Sequence, residues 1–279
     1  MTTPAALPQC PVAVTVNVDV ESGDIAAAGA AGLFGKYSYG RYGMREGFWR
    51  LAEILRAEGV KATFFVTADD AVRHPDLVEA ILAGGHEVSA LGKILKAPDA
   101  EGAGDLGAID TAKDAIRTIA GAAPKGWRSS NGLITPDALH RLAAQGYTYD
   151  SNFENDDRPY VFDDGKGARL AELPVFTYLT DATFYGGFHS PDRARKAWLE
   201  EFDALHSVGG YVHLTLNLHG HAGSARQVRA NVVADVLNAI SRRAGTGFLR
   251  CDELAGMLLA RPPSTEPFPA DHPVPITLP

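Results

Sequence analysis

Apolar, β-branched runs and helical stretches take turns along this chain, and that alternation leaves few folds open. The runs at 12–20, 62–66, 86–90, 126–129, 147–150, 172–176, 211–216 and 247–250 read as strands. The first is almost uninterrupted Val, Ala and Thr, which suits a strand buried on both faces. Between the strands, apolar positions recur at helical spacing in 46–58, 75–83, 109–121, 136–145, 191–206, 226–243 and 252–259. Phe48, Leu51, Ile54 and Leu55 mark the buried stripe of the first helix, and Gly59 stops it. Pro75 sits where a missing N–H costs least, and Thr135 caps the helix that follows it. A repeated β–α order predicts a parallel α/β sheet. The 279 residues suffice for one large barrel-like domain with a substantial core. The expected division is an N-terminal extension at 1–11, a single domain at 12–260 and a proline-rich arm at 261–279 lying extended on the surface.

In a parallel α/β barrel, chemistry gathers at the C-terminal ends of the strands. Asp19-Val20-Glu21 closes the first strand run. On a regular strand the two acids would face the same side, and paired carboxylates there can divide base and binding roles. Arg128 ends another strand run, and Asn217, His219 and His221 follow a third. Net charge is −8 with no basic run, which argues against nucleic acid and anionic membranes as partners. No apolar stretch approaches the roughly 18 residues of a membrane span. Residues 1–11 lack a charged segment followed by an apolar core, so the expected location is cytoplasmic. Cys10 and Cys251 make neither a disulfide framework nor a Cys-rich zinc site.

Several segments in combination resemble the polysaccharide deacetylase (NodB-homology) family. Residues 12–21 look like its first motif, with Asp19 in the base position and Glu21 in that of the metal-binding acid. Gly85-His86-Glu87 opens its second. Tyr42-Gly43-Met44-Arg45-Glu46-Gly47-Phe48-Trp49-Arg50 and Asn155-Asp156-Asp157-Arg158-Pro159-Tyr160 are similar to segments of the allantoinase-like and peptidoglycan-deacetylase-like branch. So is Leu173-Pro174-Val175 followed by Asp181. The resemblance implies a distorted (β/α) barrel in a single domain and a hydrolase of C–N bonds. It also brings departures. The family's H-x-x-x-H pair falls here on Leu91 and Leu95, and an isobutyl group cannot bind zinc. Arg128 is followed by Ser129-Ser130-Asn131 where proline is usual, and Asn217 stands where the family has its acidic histidine.

The expectation is therefore a hydrolase without metal or cofactor, acting on a small cyclic amide, imide or ureide. The branch is known for cyclic ureide substrates and for members that need no added metal. Asp19 would be the base and Glu21 would orient it or bind substrate N–H. Arg128 and Asn217 would hold the oxyanion, and His219 or His221 would protonate the leaving group. Tyr42, Arg45, Leu91, Asn131, Asp156, Asp157, Asp181 and His221 complete the expected substrate contacts. One competing expectation is a lyase, isomerase or cyclase whose pocket is lined by the two leucines. Another is a non-catalytic binding protein on the same scaffold. The Tyr37, Tyr39 and Tyr42 cluster suits a lid, a packed loop or a contact between copies in a homo-oligomer.

Overall fold

A computed structural model of the chain describes residues 7–35, 38–92 and 106–269. Strand β1 (Cys10–Val18) leads into helices α1 (Glu21–Ala28), α2 (Tyr39–Tyr42) and α3 (Phe48–Ala57). A π-helical turn, Gly43–Gly47, joins the last two. Then come β2 (Thr63–Thr67), α4 (Ala68–Arg73), α5 (Pro75–Ala83), β3 (Glu87–Gly92), α6 (Gly107–Ala120), β4 (Gly126–Ser129) and α7 (Pro136–Ala144). The chain continues through β5 (Tyr149–Asp150), β6 (Tyr160–Asp163), β7 (Arg169–Glu172), α8 (Asp181–Gly186), α9 (Pro191–Ser207) and β8 (Val212–Asn217). It closes with α10 (Gln227–Ser241), β9 (Thr246–Phe248), α11 (Cys251–Ala260) and β10 (Thr265–Glu266).

The strands form one curled sheet in the order β10-β6-β7-β5-β4-β3-β2-β1-β8, with β9 also on β1. Every pairing is parallel except the β6–β7 hairpin. A single parallel bridge, Thr180 to Thr215, lies beyond β8. This is an incompletely closed (β/α) barrel in a single domain.

Alternation along the strands sorts side chains into two cores. On β1, Val12, Val14, Val16 and Val18 face the surrounding helices, with Leu51, Leu55, Phe64 and Ile81. Ala13 faces the lumen with Phe65, Leu91, Tyr149 and Tyr211. Helix α11 plugs the bottom of that lumen with Cys251, Leu254, Ala255 and Leu258. Leu91 is therefore buried filling of the barrel, 2% exposed, and lines neither of the two cavities described below. Leu95 and Lys93 lie outside the described residues, as does Tyr37. Among the described residues no helix is long and apolar enough to cross a membrane.

Candidate active site

The parity that points Ala13 inward also points Thr15, Asn17 and Asp19 toward the lumen and its mouth. Strand pairing ends at Val18, and helix α1 starts at Glu21. Glu21 thus does not share a strand face with Asp19. It sits in the first turn of α1, where acids are favoured, and takes a 3.0 Å bond with His74 Nε2. The N-cap of α1, Val20, has no side chain able to cap. Asp70 supplies the cap from α4: its carboxylate accepts from Val20 N and Ser22 N, each at 3.0 Å. Thr67 in turn caps α4 by accepting from Asp70 N.

Ser22 knits these acids together. Its hydroxyl lies 2.8 Å from Asp70 Oδ2, 3.1 Å from Asp19 Oδ1 and 3.0 Å from Thr67 Oγ1. Asp19 Oδ2 has no hydrogen-bond partner among the described residues. Burial raises the Asp19 pKa above the usual aspartate value; Ser22 and His219 oppose the rise, and Asp70 and Asp24 add to it. Asp19 borders a cleft of about 530 Å³. Ile25, Ala26 and Ala27 of α1 make its apolar wall, Thr67, Asp69 and Arg73 its polar one, and Gly92 and Ser130 complete the lining. Sequence reasoning missed Ser22, Asp24, Asp70 and Arg73. The signal available for Asp70 was its place three residues after a Ser/Thr at a strand end.

The other expected catalytic residues are engaged elsewhere. Arg128 is buried in the lumen, its guanidinium 4.1 Å from the Phe65 ring centre. All five of its N–H groups have acceptors: Ser151 O and Oγ, Thr15 Oγ1, Asn17 Oδ1 and His213 Nε2. Below it, Asp150 and Glu172 stand in register on β5 and β7. Asp150 Oδ2 and Glu172 Oε2 have no N–H or hydroxyl donor, which a proton shared between them resolves. Burial, then the charge of Asp150, pushes Glu172 well above the usual glutamate value. The pair then carries one negative charge against the buried Arg128. His213 stays neutral, its pKa held down by burial and by Arg128.

Asn17 passes the network on. It donates to Asn217 Oδ1, and Asn217 donates through Nδ2 and its backbone N to the buried Asp181. Asp181 also accepts from Ser224 N and so fastens the loop after β8. Arg128, Asn217 and Asp181 are thus committed to the barrel interior, and none lines the Asp19 cleft.

His219 is bonded through Nε2 to Asp24 Oδ1 at 3.0 Å, and Asp24 Oδ2 accepts from Gly40 N at 2.8 Å. His219 Nδ1 accepts from His221 N, which leaves the ring proton on Nε2, facing Asp24. His221 stands in an aromatic row with Tyr39 at 5.1 Å and Phe188 at 5.7 Å. Tyr42 accepts from Arg50 and lies under the Arg226 guanidinium, and Arg45 opens on a separate cavity. Asn131 accepts from Ser129 Oγ and Leu133 N within its own turn. Asp156 and Asp157 are exposed in the loop before β6 and do not line the cleft.

Among the described residues the metal that the resemblance implies has no fitting donor set. Leu91 is aliphatic, Glu21 is bound to His74 and His219 to Asp24. Among the described residues no three His, Cys, Asp or Glu side chains are grouped as metal ligands would be.

The polysaccharide deacetylase family model matches residues 41–149. A Mycobacterium smegmatis protein assigned to the polysaccharide deacetylases superposes with a TM-score of 0.85 at 27% identity, covering 98% of this chain and 99% of that one. A Pseudomonas aeruginosa PAO1 protein of the same assignment gives a TM-score of 0.77 at 19% identity, covering 92% and 93%. PuuE allantoinase gives a TM-score of 0.77 at 21% identity, covering 92% of each chain. No curated protein sequence matches the chain significantly. The chain is thus similar to the polysaccharide deacetylases over residues 41–149 and shares their fold over nearly its whole length.

Proposed function

We propose that this protein hydrolyses a C–N bond in a small activated acyl compound, such as a cyclic amide, imide or ureide, without a metal. The observation that carries the reading is Asp19: a strand-end carboxyl that lines a cleft, with its pKa raised by burial. Such a group can take a proton from water as the water oxygen bonds to the acyl carbon. The same group then returns that proton to the nitrogen as the C–N bond breaks. Arg73 is the one cation among the cleft's described lining residues, and with Ser130 it would meet the developing oxyanion. The similar structures are named as deacetylases and an allantoinase, and hydrolysis at an acyl carbon is common to both names.

The test is turnover of a panel of cyclic amides, imides, ureides and N-acetyl sugars in the presence of chelator, in water enriched in oxygen-18. The expected result is chelator-resistant opening with the label in the new carboxyl group. Loss of all turnover in chelator would overturn metal independence.

The apolar wall of Ile25, Ala26 and Ala27 favours a second reading, a lyase or isomerase that uses Asp19 only to move a proton. Its product would contain no label. Absence of any turnover across the panel, together with tight binding of one compound, would leave a binding protein.

A further inference from the structure

We infer that the cavity beside α2 and the π-helical turn is an anion-binding site, in which Arg41 and Arg45 hold one phosphate or carboxylate group. The cavity measures about 380 Å³ and is lined by Ser38, Arg41, Tyr42, Arg45 and Glu46. It shares no lining residue with the Asp19 cleft. The inference does not depend on the hydrolase reading.

The two arginines are four positions apart in sequence and line the same cavity. Neither forms an ion pair among the described residues. The single acid in the lining, Glu46, has Arg50 at 4.0 Å, so its charge is partly drawn away from the cavity. The lining therefore keeps a positive excess in a chain whose net charge is −8. Planar guanidinium forks match the oxygens of phosphate and carboxylate groups.

The backbone underneath fixes this pair in place. Gly43–Gly47 is a π-helical turn, a rare geometry that clusters at functional positions. Its glycines press the turn onto the loop after β8. A Cβ on Gly43 would come within 2.6 Å of Leu218 O, and one on Gly47 within 2.6 Å of Ala225 Cβ. The glycine face is thus clamped inward while Arg41 and Arg45 face out. Arg41 is further held over the Phe34 ring, 5.3 Å from its centre. The other polar lining groups are engaged: the Ser38 hydroxyl donates to Gly35 O, and the Tyr42 hydroxyl accepts from Arg50 at 2.7 Å. The helix that presents Arg41 also carries Tyr39, whose ring lies 5.6 Å from that of His219.

The experiment is calorimetric titration of the purified full-length chain with inorganic phosphate and, separately, with acetate, at constant ionic strength. Saturable 1:1 binding of one of them is expected. Arg45→Ala should weaken it at least about tenfold, and Arg41→Ala with Arg45→Ala should abolish it. Arg193→Ala, an exposed arginine on α9, should leave it unchanged. Binding of phosphate alone assigns a phosphorylated ligand, and binding of acetate alone a carboxylate one. No saturable binding of either anion, or equal binding by the double variant, would overturn the inference.

Discussion

On the β1–β2 side of the barrel mouth, Asp19 keeps an oxygen without a hydrogen bond among the described residues. On the β4–β8 side, Arg128, Asn17, Asn217 and Asp181 form one hydrogen-bonded chain, and the remaining donors of Arg128 are taken by Thr15, Ser151 and His213. Both sides are polar, partly buried and made of strand-end residues. The difference is whether acceptors match donors. A buried network that satisfies its members rigidifies the fold, and an unmatched carboxyl beside a cleft is free to react. Polar residues at the mouth are thus not equivalent: one half of them serves the fold.

Two substitutions test that contrast most severely. Asp19→Asn should lower turnover by about 10²- to 10⁴-fold, the usual worth of a general base, with the unfolding midpoint unchanged. Arg128→Met should do the reverse. It strips the donors from Thr15, Asn17, Ser151 and His213, and denaturant unfolding should show a loss of about 3 kcal/mol or more. An Arg128→Met protein that is fully stable but inactive would return Arg128 to the chemistry and erase the distinction.

How much of this was legible beforehand follows from the same physics. The strand run at 12–20 and the helix at 191–206 emerge as Cys10–Val18 and Pro191–Ser207, because apolar periodicity reports burial directly. Asp19 was legible for the same reason, as an acid at the end of a buried strand. Helix α1 was not: Glu21-Ser22-Gly23-Asp24 reads as a loop, and the helix has no fully buried residue to betray it. The β6–β7 hairpin was missed as well, and the strand expected at 172–176 ends at Glu172. Fates such as those of Arg128 and Asn217 depend on partners 23 to 113 and 36 to 200 positions away in sequence, and no local pattern records them.

The closed half should also announce itself in pH. Burial raises the Asp181 pKa from the ordinary aspartate value of 3.8 to about 6. Between those values the folded chain holds a proton that the unfolded chain has released. The group's favourable contribution is therefore fully present below about pH 4 and is lost as pH rises through 6. Asp181→Asn removes this dependence. Unfolding free energies of variant and wild type, measured from pH 4 to 6.5, should diverge in the variant's favour by about 3 kcal/mol and then run parallel. Curves parallel throughout would mean that Asp181 ionises in the fold as easily as in water.

On the open half, Ser22 donates to the ionised Asp19, and losing that donor should make the carboxylate harder to form. Ser22→Ala is expected to move the acid limb of the pH–rate profile upward by about one unit, a tenfold change in proton affinity. Turnover well above that limb should change little. A limb that stays in place, or moves down, would separate Ser22 from the base.

The smallest effect concerns the rim between the two halves. Phe188 has φ 58°, the left-handed region, and is 82% exposed. It ends α8: Phe188 N bonds to Tyr185 O and His189 N to Phe184 O, a helix closure in which glycine is at home. A bulky residue there costs about 1–2 kcal/mol, and an exposed ring regains little of that by burial. Phe188→Gly should therefore stabilise the fold by about 1 kcal/mol in thermal or denaturant unfolding. The ring does lie beside His221, which also neighbours Tyr39 and, through it, the His219 side of the mouth. A variant that is more stable yet needs more substrate for half-maximal rate, at unchanged maximal rate, would show why the strained phenylalanine is there. Gain in stability with no change in kinetics would make Phe188 an ordinary flaw of the helix end and confine the working surface to the Asp19 cleft.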